Sequence, residues 1–373
     1  MAAVENSVVH LKMRFGATEL AIGTGFLYER NDKLFIITAW HNVTGRHSET
    51  LVCQSGAAAV PDNLVVTLRL SVKTKNGQSG LTPCTLIVPL ADSAKALFYV
   101  HPQRWPRVDV VAIPFDPDSL DFEGFVGTER FKQPFRSVFP GQGASFASFE
   151  VCPFQQFALQ DLNLEKQWLE TVDVTEELFI PGYPQNIQTH LSQPVWKRAT
   201  IASSIQQGLD RQPKFLIDSA SHKGMSGSPV VFYSPRGNLR IGGKTTFFGR
   251  QIAILAGVYV GRVGVAKDID PQIGTVWHRS VIDEIIDGQC FERLPEEIEA
   301  TSAERDAAVR KVLSACSKEG VANVNNPDLP SRYYVQQDVM EELQGRAMPD
   351  KVLATIQVMA QSYDGPFAPE END

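Results

Sequence analysis

The chain has 373 residues, 43% of them hydrophobic and 21% charged, which is ordinary globular usage and argues against wholesale disorder and against a membrane-embedded protein. Its formal charge of -8 and pI near 5.5 supply no basic field for a phosphate backbone, which argues against nucleic-acid binding as the main activity. The length suits two or three units, or one large β domain with an appendage.

The opening MAAVENSVVHLKMRFG lacks both a basic leader and a continuous apolar run, and no window approaches the roughly 18 apolar residues of a membrane span. A cytosolic protein without a membrane partner is expected. To about residue 265, short β-branched and aromatic runs alternate with turn residues: LFIITAW (34–40), NLVVTLRLSV (63–72), CTLIVPL (84–90), VDVVAIPF (108–115), ELFIPGYP (177–184) and FLIDSA (215–220). Parallel strands need a crossover helix after nearly every strand, so this spacing predicts an all-β sandwich or barrel. The stretch 116–175 is read as a crossing between two β halves, with insertions. After about residue 266 the pattern changes. WHRSVIDEIIDG (277–288) predicts a helix closed near Gly288 by a left-handed residue. PEEIEATSAERDAAVRKVLSACSKEG (295–320) is helical in composition, NVNNPDLPS (323–331) reads as a linker, and two further helices follow at 335–346 and 348–363.

Five scattered cysteines, odd in number and never in a CxxC pair, argue against a disulfide framework and a zinc site and suit free thiols in a reducing compartment. Asp161 and Glu165, like Glu296, Glu297 and Glu299, fall on helical stretches and are read as solvated faces, not metal ligands. His101 and His190 stand in turn-like contexts and read as surface residues. No phosphate-binding or dinucleotide fingerprint occurs, so neither a nucleotide cofactor nor a metal is expected.

Three stretches carry the chemistry. In GMSGSP (224–229), small residues allow a tight turn that exposes a serine hydroxyl beside backbone N–H donors. On this reading Ser226 is a nucleophile, and the amides of Gly224 and Ser226 form an oxyanion hole; the alternative is a plain glycine-serine turn between strands. In FIITAWHNV (35–43) a strand runs into His41, placed to serve as a general base or, alternatively, as a satisfied structural histidine. In RVDVVAIPF (107–115) one carboxylate, Asp109, heads an apolar strand. A buried carboxylate costs several kcal/mol without a donor, and an imidazole N–H can supply one; a surface-capping acid is the alternative.

The three together, in the order His, Asp, Ser, resemble the trypsin/chymotrypsin-like serine peptidases. TAWHNV is similar to that family's TAxHV block, VDVVAIPF to its DxALL strand, and GMSGSP to GDSGGP. GTGFLYER (23–30), PGYP (181–184) and LAGVYVGR (255–262) resemble supporting elements, so the likeness spans about residues 8–290. It implies a double six-stranded antiparallel β-barrel with a helical C-terminal extension. The divisions expected are 1–120 for the first barrel, with His41 and Asp109; 121–290 for the crossing segment and second barrel, with Ser226; and 291–373 for the extension. It further implies a cofactor-free endopeptidase acting on protein or peptide substrates, with His41 as base, Asp109 orienting it and Ser226 as nucleophile.

Two positions depart from the family pattern. Met225 replaces an Asp or Asn, which argues against activation by insertion of a new amino terminus, and Trp40 replaces a small residue. The resemblance puts Ala220 at the base of the primary pocket, with Ser221, Val260 and Arg262 about it. That removes any acidic floor selecting Lys or Arg and favours small or medium apolar residues; with Ser221, His222 and Arg262 at the rim, an acidic or polar side chain drawn by Arg262 is the alternative. Regulation is expected, with a protein partner acting through the extension as one route. The competing reading is a catalytically silent fold of this kind serving as a peptide-binding or scaffold module. An esterase of the α/β-hydrolase type is a third reading, disfavoured by the chain order.

Overall fold

In the computed structural model, which describes residues 4–54, 59–74, 77, 79–116, 121–126, 129–134, 146–263 and 272–367, the β-branched and aromatic runs become strands, and every strand pair is antiparallel. The first half is one sheet, eleven-stranded among the described residues. It comprises β1 (Val8–Phe15), β2 (Thr18–Arg30), β3 (Lys33–Thr38), β4 (Asn63–Thr74), β5 (Ser79–Pro89), β6 (Tyr99–Val100), β7 (Val111–Pro114), β8 (Asp121–Val126), β9 (Glu129–Pro134), β10 (Phe146–Val151) and, from far along the chain, β19 (Cys290–Phe291). The order runs β19-β6-β7-β3-β2-β1-β4-β5-β8-β9. β10 pairs with residues 70–74 of β4, beyond the 63–67 stretch that β1 occupies.

The second half closes on itself. β11 (Glu177–Gly182), β12 (Val195–Ile201), β13 (Lys214–Asp218), β14 (Pro229–Ser234), β17 (Ile252–Arg262) and β18 (Ile273–His278) form a barrel in the order β11-β12-β13-β18-β17-β14. Closure removes the unpaired strand edges that would otherwise invite association. Inward-facing Ile180, Ile201, Phe215, Ile217, Val230, Ile254 and Val276 fill the interior together with Met225. β15 (Asn238–Ile241) and β16 (Lys244–Phe247) make a separate hairpin. The architecture is therefore mostly β, with a closed six-stranded antiparallel barrel, a further sheet and helices gathered at the C-terminus, as expected from the sequence.

The details depart from the expectation in physically legible ways. The strand read through LFIITAW stops at Thr38, and Trp40–Thr44 turns into a short helix. Within the stretch read as a crossing, the helical segment about Asp161 and Glu165 is the helix Leu162–Thr171; Asp161 caps it by accepting from the N–H groups of Asn163 and Leu164. Glu165 is not on a solvated face. It shares a helical face with buried Trp168 and Leu169, is 6% exposed, and accepts from Arg279 at 2.7 Å. Arg279 also reaches Asp283 at 2.6 Å, so the buried charge is shared among three groups. The predicted 277–288 helix begins at Ser280, and Gln289, following Gly288, takes the left-handed position at φ 48°.

The chain divides into two compact units. One holds both β halves: Met1–Thr44, Ala59–Pro102 and Asp109–Glu292. The other joins Arg293–Asp373 to two short segments, Gly45–Ala58 and Gln103–Val108. Its helices Ser302–Ala315, Lys318–Asn323, Pro330–Glu342 and Pro349–Gln361 pack about Val309, Leu313, Val339, Met340, Val352 and Ile356. The first of them is opened by a Thr301/Glu304 capping box. Trp105 packs against this core and donates from its indole to Gln337 at 3.1 Å, while Arg107 donates to the Gly345 carbonyl. None of the five cysteines is in a disulfide, and among the described residues no helix is long and apolar enough to cross a membrane.

Two histidines in the β unit are held neutral. Burial lowers the pKa of His10, on β1, to about 4, and that of His278, at the end of β18, likewise to about 4. An unfolded imidazole takes up its proton near pH 6.5, so the stability these residues confer is complete above that value and is lost as pH falls toward 4. The loss approaches about 3 kcal/mol per residue. Urea unfolding at pH 7 and pH 4.5 should show a fall in stability for the native chain that is smaller, by roughly 2–3 kcal/mol, in His10→Asn.

Candidate active site

His41 is the second residue of the Trp40–Thr44 helix, and Asp109 lies two residues before β7. β7 pairs with β3, so the two residues leave adjacent strands at the same end of the sheet. The backbone then joins them: the Trp40 N–H donates to the Asp109 carbonyl at 3.2 Å, and the His41 N–H donates to Asp109 Oδ1 at 3.0 Å. The imidazole completes the contact, with Nδ1 2.9 Å from Oδ2 and 3.1 Å from Oδ1. A carboxylate acceptor there selects the Nδ1–H tautomer and leaves Nε2 as a base. Burial resists charging of His41, but the Asp109 charge and hydrogen bond outweigh it and raise the imidazole pKa above its ordinary value. Trp40 is fully buried and anchors the helix start by donating from its indole to Glu292 at 2.6 Å.

Ser226 lies in the turn between β13 and β14. Gly224 and Gly227 adopt φ +94° and +89°, and a side chain on either would collide with backbone: a Cβ at Gly224 would sit 2.4 Å from the Tyr183 carbonyl, and one at Gly227 would sit 2.0 Å from that of Thr24. The turn is tied at both ends to the first sheet. The Ser226 carbonyl accepts from the Thr24 N–H at 3.0 Å and from Asn42 Nδ2 at 2.8 Å, and Asn42 directly follows His41. Thr24, in the GTGF stretch, also donates from its hydroxyl to the Gly224 carbonyl at 2.7 Å and accepts the Tyr183 N–H at 3.1 Å. Its own carbonyl accepts from the Thr38 hydroxyl, which in turn accepts from Asn42. Met225, buried in the barrel core, donates its N–H to the His222 carbonyl. The flanking N–H groups of Gly224 and Ser226 meet no acceptor among the described residues.

The Ser226 hydroxyl donates to the Val260 carbonyl at 3.1 Å, and no hydrogen bond joins it to His41. The Asn42 and Thr24 bonds nevertheless bring the turn to the His41 helix. Of the remaining sequence candidates, Ala220 is exposed, Val260 contributes that carbonyl from β17, and Arg262 is half-buried at the end of the same strand. Ser221 is buried, its hydroxyl bonded to that of Tyr259. Sequence reasoning missed Thr24, Thr38, Asn42 and Tyr259. Threonines and tyrosines inside apolar strands read as ordinary strand formers, and only their pairing across the molecule gives them a role.

No family model and no curated relative matches the chain. Solved structures do. An inactive mutant form of Rv3671c from M. tuberculosis H37Rv matches at 14% identity and a TM-score of 0.36, over 76% of this chain and 87% of that one. The serine endoprotease from Yersinia pestis matches at 13% and 0.35, over 76% and 62%. The protease Anisep from Arthrobacter nicotinovorans matches at 12% and 0.34, over 73% and 90%.

Thr24→Val preserves shape while removing one donor and one acceptor from a fully buried position. Leaving the Tyr183 N–H and Gly224 carbonyl unsatisfied costs about 1–3 kcal/mol. Denaturant titration of this variant should show that loss, and Thr24→Ser should recover most of it.

Proposed function

We propose that the chain is a serine endopeptidase that hydrolyses peptide bonds through Ser226, His41 and Asp109. The observation that carries this reading is the double tie about His41: its Nδ1 is held by Asp109 at 2.9 Å, and the next residue, Asn42, holds the Ser226 carbonyl at 2.8 Å. His41 Nε2 accepts the Ser226 proton as the oxygen attacks the scissile carbonyl. The negative charge that develops on the substrate oxygen is met by the two unengaged N–H groups, of Gly224 and Ser226. Collapse of the tetrahedral species passes the His41 proton to the leaving amine and leaves an acyl-enzyme, which water hydrolyses by the same steps in reverse. An extended substrate lying along β17 can offer a backbone N–H to the Val260 carbonyl, displacing the Ser226 hydroxyl and freeing it for His41.

A second reading has a specific observation in its favour. The Ser226 hydroxyl is committed to Val260 and not to His41, which is the arrangement expected of a silent fold that binds peptide without cleaving it. Fluorophosphonate labelling separates the two. An active site gives labelling that disappears in Ser226→Ala and falls by about 10⁴-fold in rate in Asp109→Asn, where the imidazole tautomer is no longer fixed. No labelling of the native chain favours the silent module.

The raised pKa of His41 has a sign that can be checked. The base works only when neutral, so hydrolysis should be lost as pH falls through the raised His41 value, placing the acid limb of kcat/KM above that of an ordinary imidazole. Asp109→Asn should move that limb to lower pH, and pH–rate profiles of the two proteins measure the shift.

A further inference from the structure

Although the chain carries a net charge of -8, the stretch 235–251 (PRGNLRIGGKTTFFGRQ) holds four cations, Arg236, Arg240, Lys244 and Arg250, and no acid. It forms the β15–β16 hairpin, which leaves β14 at Ser234 and re-enters the barrel through β17 at Ile252. Ser226 precedes the other end of β14, and Val260 lies toward the other end of β17. The hairpin therefore stands at the end of these paired strands away from Ser226.

Its two faces differ. Leu239 is buried, and Ile241 and Phe248 pack against the barrel core. Alternation then turns Asn238 and Arg240 outward, and the register sets Phe247 opposite Asn238 and Thr245 opposite Arg240. Phe247 is 73% exposed, and so, less fully, are the other residues of β16. At the tip, Gly242 and Gly243 have φ of +53° and +79°, and a Cβ on either would meet nothing within 4 Å, so the tip projects clear of the described chain. All four cations are exposed, and none makes a side-chain hydrogen bond or close ion pair among the described residues. Half-buried Glu176 is near enough to interact with Arg240 through space.

We propose that the β15–β16 hairpin docks this protein on an anionic lipid surface, with Phe247 entering the headgroup layer and Arg236, Arg240, Lys244 and Arg250 facing the negative headgroups. An exposed ring among cations suits that boundary, where the ring leaves water and the cations meet negative potential. The shape favours lipid over an acidic peptide or a nucleic-acid strand. Those are held in a groove, whereas a projecting hairpin meets a flat surface with its tip. Cations along the exposed strands also oppose edge pairing with a second copy. Such a contact needs no membrane-spanning helix, and it is independent of the hydrolytic reading above.

The test is co-sedimentation of the full-length protein with vesicles of phosphatidylcholine alone and of phosphatidylcholine mixed with phosphatidylserine. Binding to the mixed vesicles only, weakening as salt rises, is the expected result. Each cation near such a surface contributes about five-fold in affinity, so Lys244→Gln combined with Arg250→Gln should weaken binding about 25-fold. Phe247→Ser should weaken it as well. These side chains are exposed, and unfolding curves matching the native chain's verify that the variants fold. No binding to the mixed vesicles, equal binding to both kinds, or binding that either set of substitutions leaves unchanged overturns the proposal. Capture of a polyglutamate peptide or a single-stranded oligonucleotide in place of vesicles also overturns it and assigns the hairpin to that partner.

Discussion

The carbonyl of Ser226 is the point on which the site turns. It belongs to the closed barrel but is held by Thr24 and Asn42, both from the first sheet, and Asn42 follows the histidine. Two hydrogen bonds to one oxygen thus set the distance between residues nearly two hundred positions apart. Buried and shielded from water, such bonds carry the full penalty of being left unmade, and that asymmetry makes them effective constraints. Thr24 extends the constraint through its hydroxyl to the Gly224 carbonyl and the Tyr183 N–H, so one residue holds the turn by its side chain at Gly224 and by its backbone N–H at Ser226.

Much of the fold was legible because β-branched runs and turn residues alternate so regularly, and because the helical pattern after residue 266 is distinct. What escaped notice was set by tertiary partners. The helix at 162–171 has a strong cap in Asp161, yet its buried face includes Glu165, whose charge reads as surface until Arg279 is placed against it. The segments Gly45–Ala58 and Gln103–Val108 adjoin His41's helix and Asp109 in sequence, but they group with the C-terminal helices, and no local pattern announces that.

For the site, the chemistry-bearing residues stood out as motif members, whereas the residues that hold them did not. Thr24, Thr38 and Asn42 lie inside the quoted stretches and carry no periodic or compositional mark of their own. Tyr259 is the sharpest case. In LAGVYVGR it is one more aromatic strand residue, and the alternation of β17 is broken by an irregularity between Tyr259 and Gly261, so its direction could not be read by counting. The structure turns it inward, against Ser221 and Gly274.

The engagement of the Ser226 hydroxyl with Val260 fits the same economy of polar groups. A half-buried hydroxyl finds an acceptor, and the strand carbonyl beside it is the one within reach. The most direct measurement is a crystal structure of the protein after reaction with a fluorophosphonate. The account predicts phosphorus bonded to the oxygen of Ser226, a phosphonyl oxygen received by the N–H groups of Gly224 and Ser226, and His41 Nε2 turned toward the adduct while Nδ1 stays on Asp109. An unmodified Ser226, or an adduct whose phosphonyl oxygen points away from both amides, would contradict it.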